Sequence, residues 1–321
     1  MIYKLDLDLH QHGLQCDHQF EFLISNSELF FKLLIDRIEA NNLKNKYKFI
    51  KIIQTHEIYE PDRFKFISDN VLSKLKKILD NYNIEAIILE DNNLNDFGNF
   101  NDFIIHKSHP FFLGMTTPNS FTANARKFEK KFISLNCRHT THRHELVKFL
   151  YDSDVYKNTV LTHHFDVMGN KPKDIKFNVE TNYLREYIWS TSVYSPILEN
   201  ATSFCNIVTE TFFNKDDITF ITEKTEKCFS AHQPFISVTT PFFLKKLKEL
   251  GFKTFDKWWD ESYDNEVDNE IRMEKIKNTI RYINSLSNEK LSEIYSEMQP
   301  ILVHNNHVNR EWYIDNFNKI F

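Results

Sequence analysis

Apolar residues recur along this chain in short runs, and the spacing within successive runs switches between the period of a strand and that of a helix. In the first third, Ile2–Leu7, Phe49–Ile53 and Ala86–Leu89 predict strands. Leu29, Leu33, Leu34 and Ile38 share one face of a helix over Glu28–Ala40, and Val71–Leu79 predicts another. A second series begins with a strand at Phe132–Leu135 and a helix from Glu145 to Tyr151. Strands at Val160–Leu161 and Phe204–Val208 follow, then an apolar run at Ile218–Ile221, a helix opening at Thr222 and a strand at Pro234–Val238. Three helices complete the pattern: Thr240–Leu250, with Pro241 at its first position and Gly251 as its stop, then 265–286 and 288–298. Strands alternating with helices predict parallel sheets covered by helices, an α/β fold. The stretch 92–124 is rich in turn formers (NNLNDFGNFND, TTPNS) and marks the crossing between two domains, 1–124 and 125–310, with 311–321 as a final helix.

Composition narrows the function classes. A chain of 321 residues, 41% hydrophobic and 26% charged, is long enough for two ordinary cores. A net charge of −5 gives no footprint for general nucleic-acid binding. The opening MIYKLDLDLHQHG places acids where a signal peptide carries bases, and nowhere do about 18 apolar residues run together. A soluble, cytoplasmic protein is expected. Cys16, Cys137, Cys205 and Cys228 lack paired spacing and are expected as free thiols. Neither a GxGxxG fingerprint nor a P-loop is present.

The segment with the most chemistry is FCNIVTETFFNKDDITFITEKTEKCF, from Phe204 to Phe229. Thr222 has the chemistry of an N-cap, and Glu223 and Lys224 project from the first helical turn. The free N–H groups and the positive dipole end there favour an anion. Such an arrangement binds phosphate. The polar loop ahead of the Glu145 helix carries Arg138 and Arg143, and two arginines at a helix start call for an anion of their own. In the first domain, Glu90 and Asp91 end a predicted strand, where α/β sheets collect ligands.

The pairing of Val208-Thr209-Glu210-Thr211 with Ile221-Thr222-Glu223-Lys224 resembles the donor-site signature of the α-1,3-fucosyltransferases, with Thr211 and Phe212 standing where that family has Asn and Ser. The later string LGFKTFDKWWDESYD, from Leu250 to Asp264, resembles a segment of viral and phage glycosyltransferase-like proteins. The resemblance implies two Rossmann-like domains facing each other across a cleft (the GT-B arrangement), 1–124 expected to take the acceptor and 125–310 the nucleotide sugar, with C-terminal helices of which the last, 311–321, is expected to cross back onto the first domain. It implies an inverting, metal-independent glycosyltransferase with no cofactor beyond a GDP- or UDP-linked sugar as donor and a glycan as acceptor, a modified DNA base being the other acceptor considered. Arg143, with Arg138 as its rival, and Lys224 are then expected on the donor diphosphate. Thr222 caps that helix, and Glu210 and Glu223 are expected on ribose or sugar hydroxyls. Glu90 or Asp91 is expected as the base, ahead of Glu57 and His10.

Two other classes compete. Asp8-Leu9-His10-Gln11-His12 resembles the His-x-His opening of barrel-type metal hydrolases, but the helical C-terminal region leaves too little chain for eight strand–helix units. The other is a non-catalytic protein that binds a nucleotide sugar without turnover. Asp6-Leu7-Asp8 matches the D-x-D pattern of metal-dependent transferases by chance on an alternating strand.

Overall fold

Each of the two sheets is built from strands whose apolar runs are too short for helices and too buried for loops. The computed structural model describes residues 2–5, 27–54, 67–91, 99–108, 126–136, 140–163, 202–215 and 218–320. The chain divides into two compact units, Met1–Phe111 and Phe112–Phe321, at a point inside the turn-rich stretch that the sequence marks as the crossing. Both units are mixed α/β.

In the first unit the strands are β1 (Ile2–Leu5), β2 (Phe49–Gln54), β3 (Ala86–Asp91), β4 (Asn99–Asn101) and β5 (Ile104–Ser108), in the sheet order β1-β2-β3-β5-β4. The first three and β5 are parallel, and β4 returns antiparallel at the edge. Helices α1 (Ser27–Ala40) and α2 (Asp69–Asn81) link the parallel strands in sequence. They pack on the same face, where Phe30, Leu34, Ile38, Leu75 and Leu79 meet Ile50, Ile52, Ile87, Leu89 and Ile104 in one core. Ser68 caps α2, its hydroxyl accepting from Val71 N. The sequence reading missed β4 and β5, whose FNDFIIHK stretch carries only a short apolar run among asparagines and acids.

The second unit is wound differently. Its strands are β6 (Lys130–Asn136), β7 (Thr159–His163), β8 (Ser203–Thr209) and β9 (Phe235–Val238), all parallel in the order β7-β6-β8-β9. From β6 the chain first goes one way through α3 (Thr141–Asp152) to β7, then back past β6 to β8, and on through α4 (Glu223–Ser230) to β9. Right-handed crossovers then put α3 and α4 on opposite faces of the sheet. The direction reverses between β6 and β8. Strands buried on both faces follow from this, and β9 is buried at every position.

Helices α5 (Phe243–Glu249), α6 (Asn269–Ser285) and α7 (Asn288–Ile320) complete the unit. Two expectations change here. Pro241 lies two residues before α5, and the helix start is capped from a distance: the Asp264 carboxylate accepts from Leu244 N (2.7 Å) and Lys245 N (3.0 Å). Residues 311–320 are the last turns of α7, and Trp312 Nε1 donates to Leu250 O within the same unit (3.4 Å).

Gly251 ends α5 at φ +95°, and Phe252 N returns to Leu247 O at 3.0 Å, which closes the helix in a Schellman turn. Phe252 then stacks on Phe229 of α4, ring centroids 4.1 Å apart. A Cβ at Gly251 meets only Val308 Cγ1 at an ordinary 3.7 Å, so a side chain there fits in space but not in backbone conformation. Gly251→Ala should therefore cost about 1–2 kcal/mol in urea unfolding, and adding Val308→Ala should recover none of it.

Candidate functional site

The loop that leaves β8 carries Glu210 into the interior. Its side chain has no exposed surface. A buried carboxylate has to be matched by donors, and four surround it. Thr222 N (3.2 Å) and Thr225 Oγ1 (2.6 Å) donate to Oε1, Thr222 Oγ1 (2.6 Å) donates to Oε2, and the Lys224 ammonium stands 3.7 Å from Oε2. Thr222 Oγ1 in turn accepts from Lys224 N (3.3 Å) and from Lys224 Nζ (2.9 Å). The cap on α4 predicted from sequence is therefore present, and Glu210 anchors it.

The backbone end of Glu210 is held as firmly. Arg143 Nη2 donates to the carbonyls of Thr209 and Glu210, both at 3.1 Å, and His142 Nε2 donates to Glu210 O at 3.2 Å. Thr140 Oγ1 donates to His142 Nδ1 (3.3 Å), which fixes the ring as the neutral Nε2–H tautomer. Burial first, and then the Arg143 guanidinium beside it, lower the His142 pKa to about 4. His142 stacks on Phe213, centroids 5.4 Å apart and planes 13° off parallel. The buried Arg272 guanidinium lies 4.4 Å from the Phe213 ring centre and donates to Phe213 O and to Thr239 O (3.1 Å). Beneath, Thr209 Oγ1 donates to Asn136 Oδ1 (2.7 Å), and Asn136 N donates to Thr162 Oγ1 (3.1 Å), which ties the ends of β6, β7 and β8 together.

The structure thus brings Arg143, Glu210, Thr222, Glu223 and Lys224 to the C-terminal ends of β6 and β8, where the winding reverses and open α/β sheets bind ligands. It assigns them different depths. Arg143 (4% exposed) and Glu210 are interior, so the expectation that Glu210 meets ribose or sugar hydroxyls gives way to a clamp whose oxygens are already occupied. Arg143, expected on the diphosphate, supports the end of β8. Lys224 (side chain 28% exposed) and Glu223 (29%) form the outer layer, 3.6 Å apart. Burial pushes the Glu223 carboxyl up, and Lys224 and Lys227 outweigh it, holding the group below the usual carboxylate range.

In the first unit Glu90 is on β3 and pairs with Lys51 Nζ of β2 at 2.7 Å, and Asp91 is the last residue of the same strand. The expectation of Glu90 as base therefore meets a carboxylate engaged by a lysine. Arg138, Glu57, His10, His12, Asp6 and Asp8 lie outside the described residues. Sequence reasoning missed His142, Phe213, Arg272 and Asn136. Arg143, Glu210 and the Thr222-Glu223-Lys224 start of α4 were the signals that this region is polar.

Among the described residues no group of three or more His, Cys, Asp and Glu is placed to hold a metal, and no helix is long and apolar enough to cross a membrane. Cys205 and Cys228 are buried free thiols. Comparison with known families finds no family model that matches this chain, and comparison with curated proteins finds no match either.

Glu210→Gln turns one oxygen of the clamp into a donor facing donors and should cost about 3 kcal/mol, with amide exchange accelerated throughout α4. The His142 pKa is lower folded than unfolded, so the unfolded chain binds the extra proton between about pH 4 and 6.5. Its contribution is complete above pH 6.5 and lost as pH falls towards 4. The destabilisation caused by His142→Gln should therefore shrink by about 2 kcal/mol between pH 7.5 and pH 5 in paired urea titrations, whereas a pH-independent difference would mean the imidazole titrates normally.

Proposed function

We propose that the second unit binds the diphosphate of a nucleotide-activated sugar over the N-terminus of α4, and that the protein is a glycosyltransferase. The observation that carries this reading is the placement of Lys224 Nζ on the Thr222 cap, 2.9 Å from its hydroxyl, at the reversal point of a parallel sheet. A departing diphosphate develops negative charge, and an ammonium joined to a helix N-terminus is suited to neutralise it. In this reading Lys224 touches the phosphates and Glu223 accepts from hydroxyls of the ribose or the sugar. Arg143 and Glu210 are positioning residues that hold α4 against β8. The two-domain arrangement, the acceptor's assignment to the first unit and the inverting outcome rest on the fucosyltransferase resemblance.

Titration calorimetry with GDP, UDP, CMP and dTDP, each with EDTA present, tests the reading. One nucleotide diphosphate should bind, and Lys224→Ala should weaken it at least tenfold while leaving the melting temperature of the free protein within about 2 °C, because the side chain is partly solvated. Equal affinity in wild type and variant, or heat with none of the four, overturns the assignment. With a binding nucleotide identified, release of that nucleotide from its sugar conjugate separates an enzyme from a binding protein.

A further inference from the structure

The segment after α5, FKTFDKWWDESYD from Phe252 to Asp264, takes no part in the α4 site, yet it holds a buried carboxyl of its own. It lies across the sheet. The Phe255 ring meets Phe235 of β9 with centroids 5.4 Å apart, Trp259 meets Phe204 of β8 at 6.5 Å, and Asp264 caps α5. Glu261, 9% exposed, sits within this segment. Phe255 N donates to its Oε1 (2.8 Å), and the Thr254 hydroxyl hydrogen-bonds to it as well. Glu210 has an ammonium beside it in addition to its N–H and hydroxyl donors, whereas Glu261 has no lysine, arginine or histidine within ion-pair distance among the described residues.

The charges around Glu261 do not make up the difference. On α5, Lys248 acts on it but is paired with Asp256 at 3.0 Å, and Lys245 lines the same cavity of about 420 Å³. Asp256, Asp260 and Asp264 line that cavity too, so three carboxylates face two ammonium groups before Glu261 is counted. The buried Tyr263 phenol is a further electrostatic neighbour. Helix α6 meets the segment at Thr279, whose hydroxyl donates to Asp260 O (3.0 Å). Helix α7 meets it at Asn305, bonded to Lys253 N and O, and at Glu297, which is exposed and pairs with Lys257 (3.3 Å). Burial without a counter-charge favours the neutral acid, and a nearby carboxylate favours it further. Burial first, with Asp256 adding to it against the two hydrogen bonds and Lys248, raises the Glu261 pKa to about 7.

We propose that 254–264 is a pH-sensitive latch, closed on β8 and β9 while Glu261 holds a proton and opening more readily once that proton is lost. The protonated carboxyl still accepts from Phe255 N and adds no charge to the interior. Ionised, it is an uncompensated charge beside Asp256, and admitting water relieves it. In the opened segment the group returns to the ordinary carboxylate value of 4.5, so the closed form binds the extra proton between about pH 4.5 and 7. The latch is at full strength below pH 4.5, weakens as pH rises through that window and levels off above 7. This inference does not require the transferase reading.

Hydrogen exchange on the full chain between pH 5 and pH 8, corrected for the intrinsic pH dependence of amide exchange, tests it. The opening constant of peptides within 252–264 should rise about 70-fold over that range. Glu261→Gln keeps an acceptor for Phe255 N but cannot ionise, and should abolish most of the rise. Flat corrected protection in the wild type, or an equal rise in the variant, overturns the proposal. Should the variant fail to fold, carbon-13 NMR of the glutamate carboxyls in the wild-type chain decides: one should titrate near pH 7, and none doing so overturns it.

Discussion

A carboxylate without any exposed surface is among the most demanding groups a protein can hold, because the water it has lost must be replaced by donors of fixed geometry. Glu210 meets that demand with a backbone N–H, two hydroxyls and a nearby ammonium, all drawn from Thr222, Lys224 and Thr225. Its carbonyl is meanwhile held by His142 and Arg143 of α3. One residue therefore joins the two helices that the winding places on opposite faces of the sheet, at the end of the strand between them. If the carboxylate loses the hydrogen bonds from Thr222 and Thr225, α4 loses both its cap and its anchor, which is why the positions of Lys224 and Glu223 depend on a group that no ligand can reach.

The same arrangement constrains the charge nearby. Arg143 and Lys224 both lie close to Glu210, so a third cation on His142 would add repulsion where burial already penalises it. The ring stays neutral, and the Thr140 hydroxyl on Nδ1 leaves the proton on Nε2, which donates to Glu210 O. Phe213 covers one face of that ring, and Arg272, 4.4 Å from the Phe213 ring centre, ties it to the end of β9 and to α6. Imidazole, phenyl and guanidinium thus link the end of β8 to the C-terminal helices. Arg272, almost fully buried, is costly to place and is fixed by the carbonyls of Phe213 and Thr239, remote in sequence, and of nearby Glu266.

Much of the local structure was legible in the sequence. The runs at Phe49, Ala86, Phe132, Phe204 and Phe235 are strands because their residues are apolar over lengths that fit a sheet crossing, and the Thr222 cap followed from the chemistry of one hydroxyl before a helical turn. The reading failed where the partner lies far along the chain. Asp264 caps a helix twenty residues earlier, and no local pattern announces it. The extension of α7 to Ile320 runs through Pro300, a residue that argues for a stop when read locally. Glu210 sits between two threonines and before a polar loop, a setting that reads as exposed. Its burial comes from the hydroxyls of Thr222 and Thr225, twelve and fifteen positions later, which can be recognised only once β8 and α4 are brought together.

The two sheets also differ in a way that bears on where a ligand can sit. In the first unit β1, β2 and β3 follow one another in order, and both connecting helices lie on one face, so no reversal opens a crevice between those strands. In the second unit the step from β6 to β7 runs opposite to the step from β8 to β9. Asn136, Thr209, Glu210, Arg143 and the start of α4 meet at the C-terminal ends of these strands. The position of the site is thus a consequence of strand order, and its chemistry a consequence of what is needed to keep Glu210 satisfied.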